Sequence, residues 1–150
     1  VETIVKRILS TSNTYADLLL RLPLGLIFAA HGAQKLFGWF GGYGLSGTGQ
    51  WMASIGLSPG MLMAALAGSA EFFGGLALII GFALRPAAAI LAFTMVVAIV
   101  SVHIENGLFM RDGGYEFGLS LLAASLYLAV VGGGKLSVDR ILSPPTAASR

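Results

Sequence analysis

The chain has 150 residues, of which 56% are hydrophobic and only 11% charged. Soluble domains carry about 25% charged residues, so a chain this short cannot hide so much apolar surface from water, and lipid is its expected surrounding. The net charge is +2, with the basic residues spread thinly, which leaves no nucleic-acid footprint. Cysteine is absent, which excludes disulfides, thiol redox chemistry, thiolate metal sites and covalently attached haem. Any redox chemistry would need a diffusible or otherwise non-covalent group.

The first sixteen residues, VETIVKRILSTSNTYA, mix polar and apolar types and lack a cleavage pattern before the apolar run, so no removable leader is expected. Four segments then reach the roughly 20 apolar residues that a bilayer demands. They run over residues 17–37, 61–83, 86–104 and 115–132. Pro86 suits the first turn of the third, where its missing N–H costs nothing. Asn106-Gly107 and Asp112-Gly113-Gly114 separate the third and fourth, and Gly132-Gly133-Gly134 ends the fourth. The tail SPPTAASR reads as a frayed end. The expected fold is an all-α integral membrane four-helix bundle, one domain over 1–150.

A long connection joins the first two spans: GWFGGYGLSGTGQWMASIGLSPG. Glycines and aromatics alternate in it, then TGQWMASIG suits a short helix capped near Thr48. Trp39, Phe40, Tyr43 and Trp51 fit a membrane interface, where a ring has one apolar and one wet side.

Lys and Arg placement orients the spans. One side collects Lys6, Arg7, Arg85, Lys135, Arg140 and Arg150, with Arg21 able to snorkel toward it; the other keeps Lys35 and Arg111. Both termini are therefore expected on the cytoplasmic side. Helices in lipid associate through small residues, and Ala64, Ala67, Gly68, Glu71, Gly74 and Gly75 share one face of the second span.

Under that orientation, polar residues from four stretches gather in the outer half of the bundle. His31, Gln34 and Lys35 lie late in the first span, Glu71 lies mid-way along the second, and His103 ends the third. Glu116 opens the fourth, with Tyr127 three turns further in on the same face. His31 and Lys35 are four apart and share a helix face. Ionisable groups inside a membrane face the bundle interior and find partners there. Glu71 is the natural counter-ion of Lys35 or of a protonated His31, and Glu116 is the second candidate. These seven residues are the candidates for ligand or proton binding. Their types leave the chemistry open between a functional cluster and a structural lock, and no metal site is indicated.

The stretches RLPLGLIFAAHGAQKLFGWFGGYGLSGTGQWMASIGL, AGSAEFFGGLALIIGFALRPAA and ENGLFMRDGGYEFGLSLLAASL resemble the DoxX family of bacterial membrane proteins. The resemblance covers about Leu18 to Leu136 and rests on H-G-x-Q-K-L-F-G, then G-G-x-G, then the glutamate of AEFFGG. His31, Gln34, Lys35, Gly41, Gly42, Glu71 and Glu116 occupy the family-like polar or glycine positions. The resemblance implies a multi-pass protein of the bacterial cytoplasmic (inner) membrane. The family takes its name from a subunit associated with quinone-linked sulfur oxidation, and relatives are linked to thiosulfate:quinone oxidoreduction and oxidative-stress complexes.

Three readings of function follow. In the first, the protein is a quinone- or quinol-interacting component of a membrane redox system. His31 or Lys35 would then donate to the quinone oxygens and Glu71 or Glu116 would carry protons, while a partner subunit supplied the electrons. In the second, it is a non-catalytic accessory subunit of a larger membrane complex, and the polar cluster locks the bundle. In the third, it transports a proton or small solute, a weaker fit because there is no internal repeat or pair of broken helices. The expected partners are the lipid bilayer and either other membrane subunits or further copies of the chain.

Overall fold

A computed structural model describes residues 2–143, and the tail beyond Ser143, including Arg150, lies outside the described residues. Among the described residues the chain folds into seven α-helices joined by short turns, with no strand. They are α1 (Glu2–Ile8), α2 (Asp17–Phe37), α3 (Gly44–Ser54), α4 (Gly60–Ile80), α5 (Leu84–Ala98), α6 (Glu116–Val131) and α7 (Val138–Leu142). A π-helical turn at Ile99–His103 and a 3-10 turn at Ile104–Asn106 continue α5. Two helical stretches, Gly60–Ile80 and Leu84–Asn106, are long and apolar enough to cross a bilayer. Helix α6 is apolar but shorter, and α2 carries Asp17, Arg21 and Lys35 along its length.

Helix α4 is the centre of the packing: it meets α2 on one side, α5 on another and α3 near its start, and α6 completes the bundle against α5. The α2–α4 contact is made by glycines. A Cβ on Gly25 would stand 2.7 Å from the Gly75 carbonyl oxygen, and one on Gly32 would stand 2.7 Å from that of Gly68. The next residue on α4 serves the other neighbour, because a Cβ on Gly74 would press on the Leu91 side chain of α5. The small-residue face expected on the second span therefore brings backbones into contact, as packing in lipid favours. Leu24, Phe28, Leu78, Leu84, Leu91 and Leu128 fill the interior. Leu19, Leu26, Phe73, Phe93 and Val130 lie on the outside, each more than half exposed.

Several boundaries differ from the sequence expectation. The second span ends at Ile80, not at residue 83, because Gly81 turns into the left-handed region at φ 71°. Asp139 of α7 then accepts the backbone N–H groups of Ala83 and Leu84 at 2.7 and 2.9 Å, which caps α5. Thr48 does not cap α3. The helix starts four residues earlier at Gly44, and Thr48 is buried within it. Close contact with α4 draws the glycine-rich stretch into helix: a Cβ on Gly49 would stand 3.0 Å from Met61 Cα.

Arg21 does not snorkel. It is 2% exposed and donates to the carbonyls of Gly133 and Leu136, the latter at 2.6 Å, and more weakly to Ile79 at 3.4 Å. The carbonyls left open by the glycine turn after α6 hold the two terminal nitrogens of the guanidinium, while Nε has no partner among the described residues.

Candidate functional site

The helix ends divide the polar residues into two groups at opposite ends of the bundle. The C-terminal half of α2, the middle of α4, the end of α5 and the start of α6 surround a cavity of about 210 Å³. Four sequence candidates line it: His31 and Lys35 from α2, Glu71 from α4 and His103 from the π-helical turn. Its apolar walls include Phe28, Met95, Phe117 and Leu121.

Lys35 Nζ donates to Glu71 Oε2 at 2.6 Å, a salt bridge across the α2–α4 contact. The Glu71 side chain is 5% exposed and that of Lys35 23%, so the carboxylate is held inside and the ammonium reaches it from the rim. The approach depends on Gly68, one turn before Glu71, where a Cβ would meet Lys35 Cβ at 3.2 Å.

His31 lies one turn before Lys35. Its ring packs against Phe117 with centroids 6.3 Å apart, and its nitrogens have no hydrogen-bond partner among the described residues. His103 Nδ1 lies 2.7 Å from the Gly113 carbonyl oxygen. A carbonyl only accepts, so Nδ1 carries the proton, and in the neutral ring Nε2 is left as an acceptor. The π-helical turn sets His103 in this place. Such turns insert one residue into a helix and often mark functional sites. Here the turn stands over Gly118 of α6, where a Cβ would lie 3.0 Å from Ile99 Cγ1.

The other three candidates lie apart from this cavity. Glu116 Oε1 accepts from the Met110 backbone N–H at 2.6 Å and so ties down the loop that lines the cavity through Met110 and Gly113. Gln34 donates to the Phe40 carbonyl at 3.3 Å and lines a second, larger cavity of about 560 Å³ between α2, the aromatic loop and α3. Tyr127 points to the opposite end of the bundle, where its hydroxyl donates to Asp17 Oδ1 at 3.2 Å.

That opposite end holds a polar cluster that sequence reasoning missed. Asp17 accepts from both Tyr127 and Ser12, Arg21 holds the carbonyls described above, and Asp139 caps α5. Asp17 and Asp139 are the carboxylates whose charges act on Arg21. The signal was present in two buried-type acids flanking an apolar bundle, Asp17 at the start of the first span and Asp139 after the last. Each reads as an ordinary surface charge when its segment is taken alone.

Apolar outer faces, glycine-mediated helix contacts and an ionisable cluster inside the bundle define a helical membrane protein. The DoxX family model matches residues 16–104, and the chain belongs to that family. It is 36% identical over 131 residues to CatD of Bacillus subtilis, provisionally designated an oxidoreductase, covering 87% of this chain and 90% of that protein. Two Escherichia coli proteins named as inner membrane proteins are also similar. YphA is 32% identical over 82% of this chain and 87% of its own length, and YqjF is 30% identical over 84% and 91%. No solved structure matches the chain.

Proposed function

We propose that the protein binds the head group of a membrane quinone or quinol in the cavity between α2, α4, α5 and α6, as one component of a membrane redox system. The observation that carries this reading is the pairing of an apolar, ring-lined cavity with unused hydrogen-bonding groups. The His31 ring nitrogens have no hydrogen-bond partner among the described residues, and His103 is left with an acceptor at Nε2. A quinone oxygen can accept from the ring N–H of His31, and a quinol hydroxyl can donate to His103 Nε2. The volume, about 210 Å³, is below the ~300–1,000 Å³ of sites that enclose a drug-sized ligand. It suits one substituted ring, with an isoprenoid tail left outside among lipid chains.

Reduction of a quinone takes up two electrons and two protons. A redox-active partner protein would supply the electrons. The residues of this chain serve the protons and the positioning: His31 and Lys35 donate to the ring oxygens, and Glu71, held by Lys35, receives or releases a proton. Similarity to CatD supports a redox setting.

The same reading places the chain in the bacterial inner membrane, as the names of YphA and YqjF support, with α2, α4, α5 and α6 as four crossings. Lys6, Arg7, Arg85, Lys135 and Arg140 then face the cytoplasm with both termini. Exposed Trp39, Phe40, Tyr43 and Trp51 lie at the opposite interface.

A second reading, an accessory subunit with no ligand, draws support from the Lys35–Glu71 bridge, which satisfies both charges without any third group. Lipid extraction and mass spectrometry of the protein purified in mild detergent separate the two. The redox reading expects quinone near one per chain, lost in Glu71→Gln and His31→Ala variants that remain folded. Absence of quinone, together with loss of a co-purifying subunit in those variants, supports the accessory reading instead.

A further inference from the structure

The second cavity, of about 560 Å³, is larger than the first and lies beside it, with Lys35 in the wall of both. Its other walls come from Gln34, the glycines of the aromatic loop, and Tyr43, Thr48 and Trp51. None of its lining residues is acidic. Thr48 is 6% exposed, yet its hydroxyl has no hydrogen-bond partner among the described residues, and neither does the indole N–H of Trp51 or the hydroxyl of Tyr43. In mid-helix a threonine hydroxyl can bond back to the carbonyl one turn earlier, as Thr94 does to Ile90 at 2.9 Å. Thr48 does not. Of the three donors Thr48 is buried, while Trp51 and Tyr43 are exposed; together with the Lys35 ammonium they suit a group that accepts several hydrogen bonds and carries negative charge.

We propose that this cavity binds a phosphate group, and that its source is the head group of an anionic phospholipid. The location favours that source. Trp39 and Phe40 immediately precede Gly41 of the cavity wall and are 55% and 72% exposed, and aromatic residues of this kind concentrate at head-group depth. The phosphate accepts from Thr48, Trp51 and Tyr43 and shares the Lys35 ammonium with Glu71. Thr48, Trp51 and Tyr43 do not line the first cavity, so these three donors are independent of the quinone reading, and only Lys35 is common to both.

The chain has two tryptophans, so a Trp39→Phe variant makes Trp51 the sole tryptophan, excited selectively over the tyrosines at the red edge of absorption. In neutral-detergent micelles, the Trp51 emission of this variant should shift saturably as phosphatidylglycerol is added. It should not shift with diacylglycerol, which has the same tails and no phosphate. Adding Thr48→Val should weaken phosphatidylglycerol binding roughly ten- to a hundredfold, the worth of one hydrogen bond to a charged group. The lipid-free emission spectrum and melting temperature checks that this variant is folded. Tyr43→Phe, at a largely exposed position, should weaken binding in the same direction without any risk to folding. A response to glycerol phosphate as strong as that to the lipid upholds the phosphate chemistry and assigns a soluble source. No saturable response to either phosphate compound, an equal response to diacylglycerol, or unchanged affinity in both Thr48→Val and Tyr43→Phe overturns the proposal.

Discussion

Lys35 donates to Glu71 at 2.6 Å across the α2–α4 contact, and the two partners are unequally buried. This asymmetry makes their removal unequal. Lys35→Met strands a carboxylate that has almost no access to water, and breaking a buried pair in this way costs about 3–5 kcal/mol. Glu71→Gln leaves an ammonium on a flexible stem that is already partly exposed and able to extend toward the interface, so the expected loss is smaller, about 1–2 kcal/mol. Lys35→Met combined with Glu71→Leu should be more stable than Lys35→Met alone, because no unpaired charge is left inside. Thermal unfolding in one mild detergent should rank the three variants in that order. A Glu71→Gln protein less stable than Lys35→Met would contradict it.

Gly32 and Gly118 both line close contacts, but they should not respond alike. A Cβ on Gly32 would meet backbone, 2.6 Å from Phe72 Cα, and neither helix can yield without separating from the other. One on Gly118 would meet side-chain atoms only, Ile99 Cγ1 at 3.0 Å and Cδ1 at 3.5 Å, which can give without moving either backbone. Gly32→Ala should therefore cost about 1–3 kcal/mol, in the range of overpacked cores, and Gly118→Ala well under that. Comparing the two unfolding midpoints checks the difference.

Asp139 holds two backbone N–H groups at the start of α5 and is 1% exposed. Asp139→Ala leaves both donors without their carboxylate and should cost about 1–2 kcal/mol, as the loss of a helix cap does. The effect should be local to α7 and the α4–α5 turn. Limited proteolysis should show cleavage near Ser137 in the variant and not in the parent chain.

Glu116 acts on the loop through one oxygen, which accepts from Met110 N–H. Glu116→Gln keeps an acceptor at that place and should leave the loop closed over the cavity. Glu116→Leu removes it. Amide hydrogen exchange at Met110 should rise roughly tenfold in Glu116→Leu and little in Glu116→Gln, in line with a single hydrogen bond to a charged group.

Helix identity was largely readable from the residues, because long apolar runs broken by Gly and Asp-Gly pairs allow few alternatives. The first predicted span is α2, Asp17–Phe37, with the bounds its apolar run gives, and α6 differs from the fourth predicted span by a residue at each end. That His31, Lys35, Glu71 and His103 share one half of the bundle was legible from their places along each span, and the cavity they line is set by the packing of the helices. Partners set by loops were not. Glu116 turns to a backbone N–H, not to Lys35, because the returning loop offers a donor nearer than any cation. The Asp17–Tyr127 contact joins residues 110 apart in the chain, and helix spacing alone does not say which end of α6 a tyrosine will serve. The cap by Asp139 was hidden because it depends on how α7 folds back after three glycines.

The central claim is that the smaller cavity holds a quinone ring. Photolabelling with an azido-substituted quinone, followed by peptide mapping, tests it most directly. Label should appear on the stretch from Phe28 to Lys35 and on that from Met95 to Leu121, should be displaced by excess unmodified quinone, and should fall away in His31→Ala. Labelling confined to the lipid-facing surface, undiminished by excess quinone or by His31→Ala, would contradict the account.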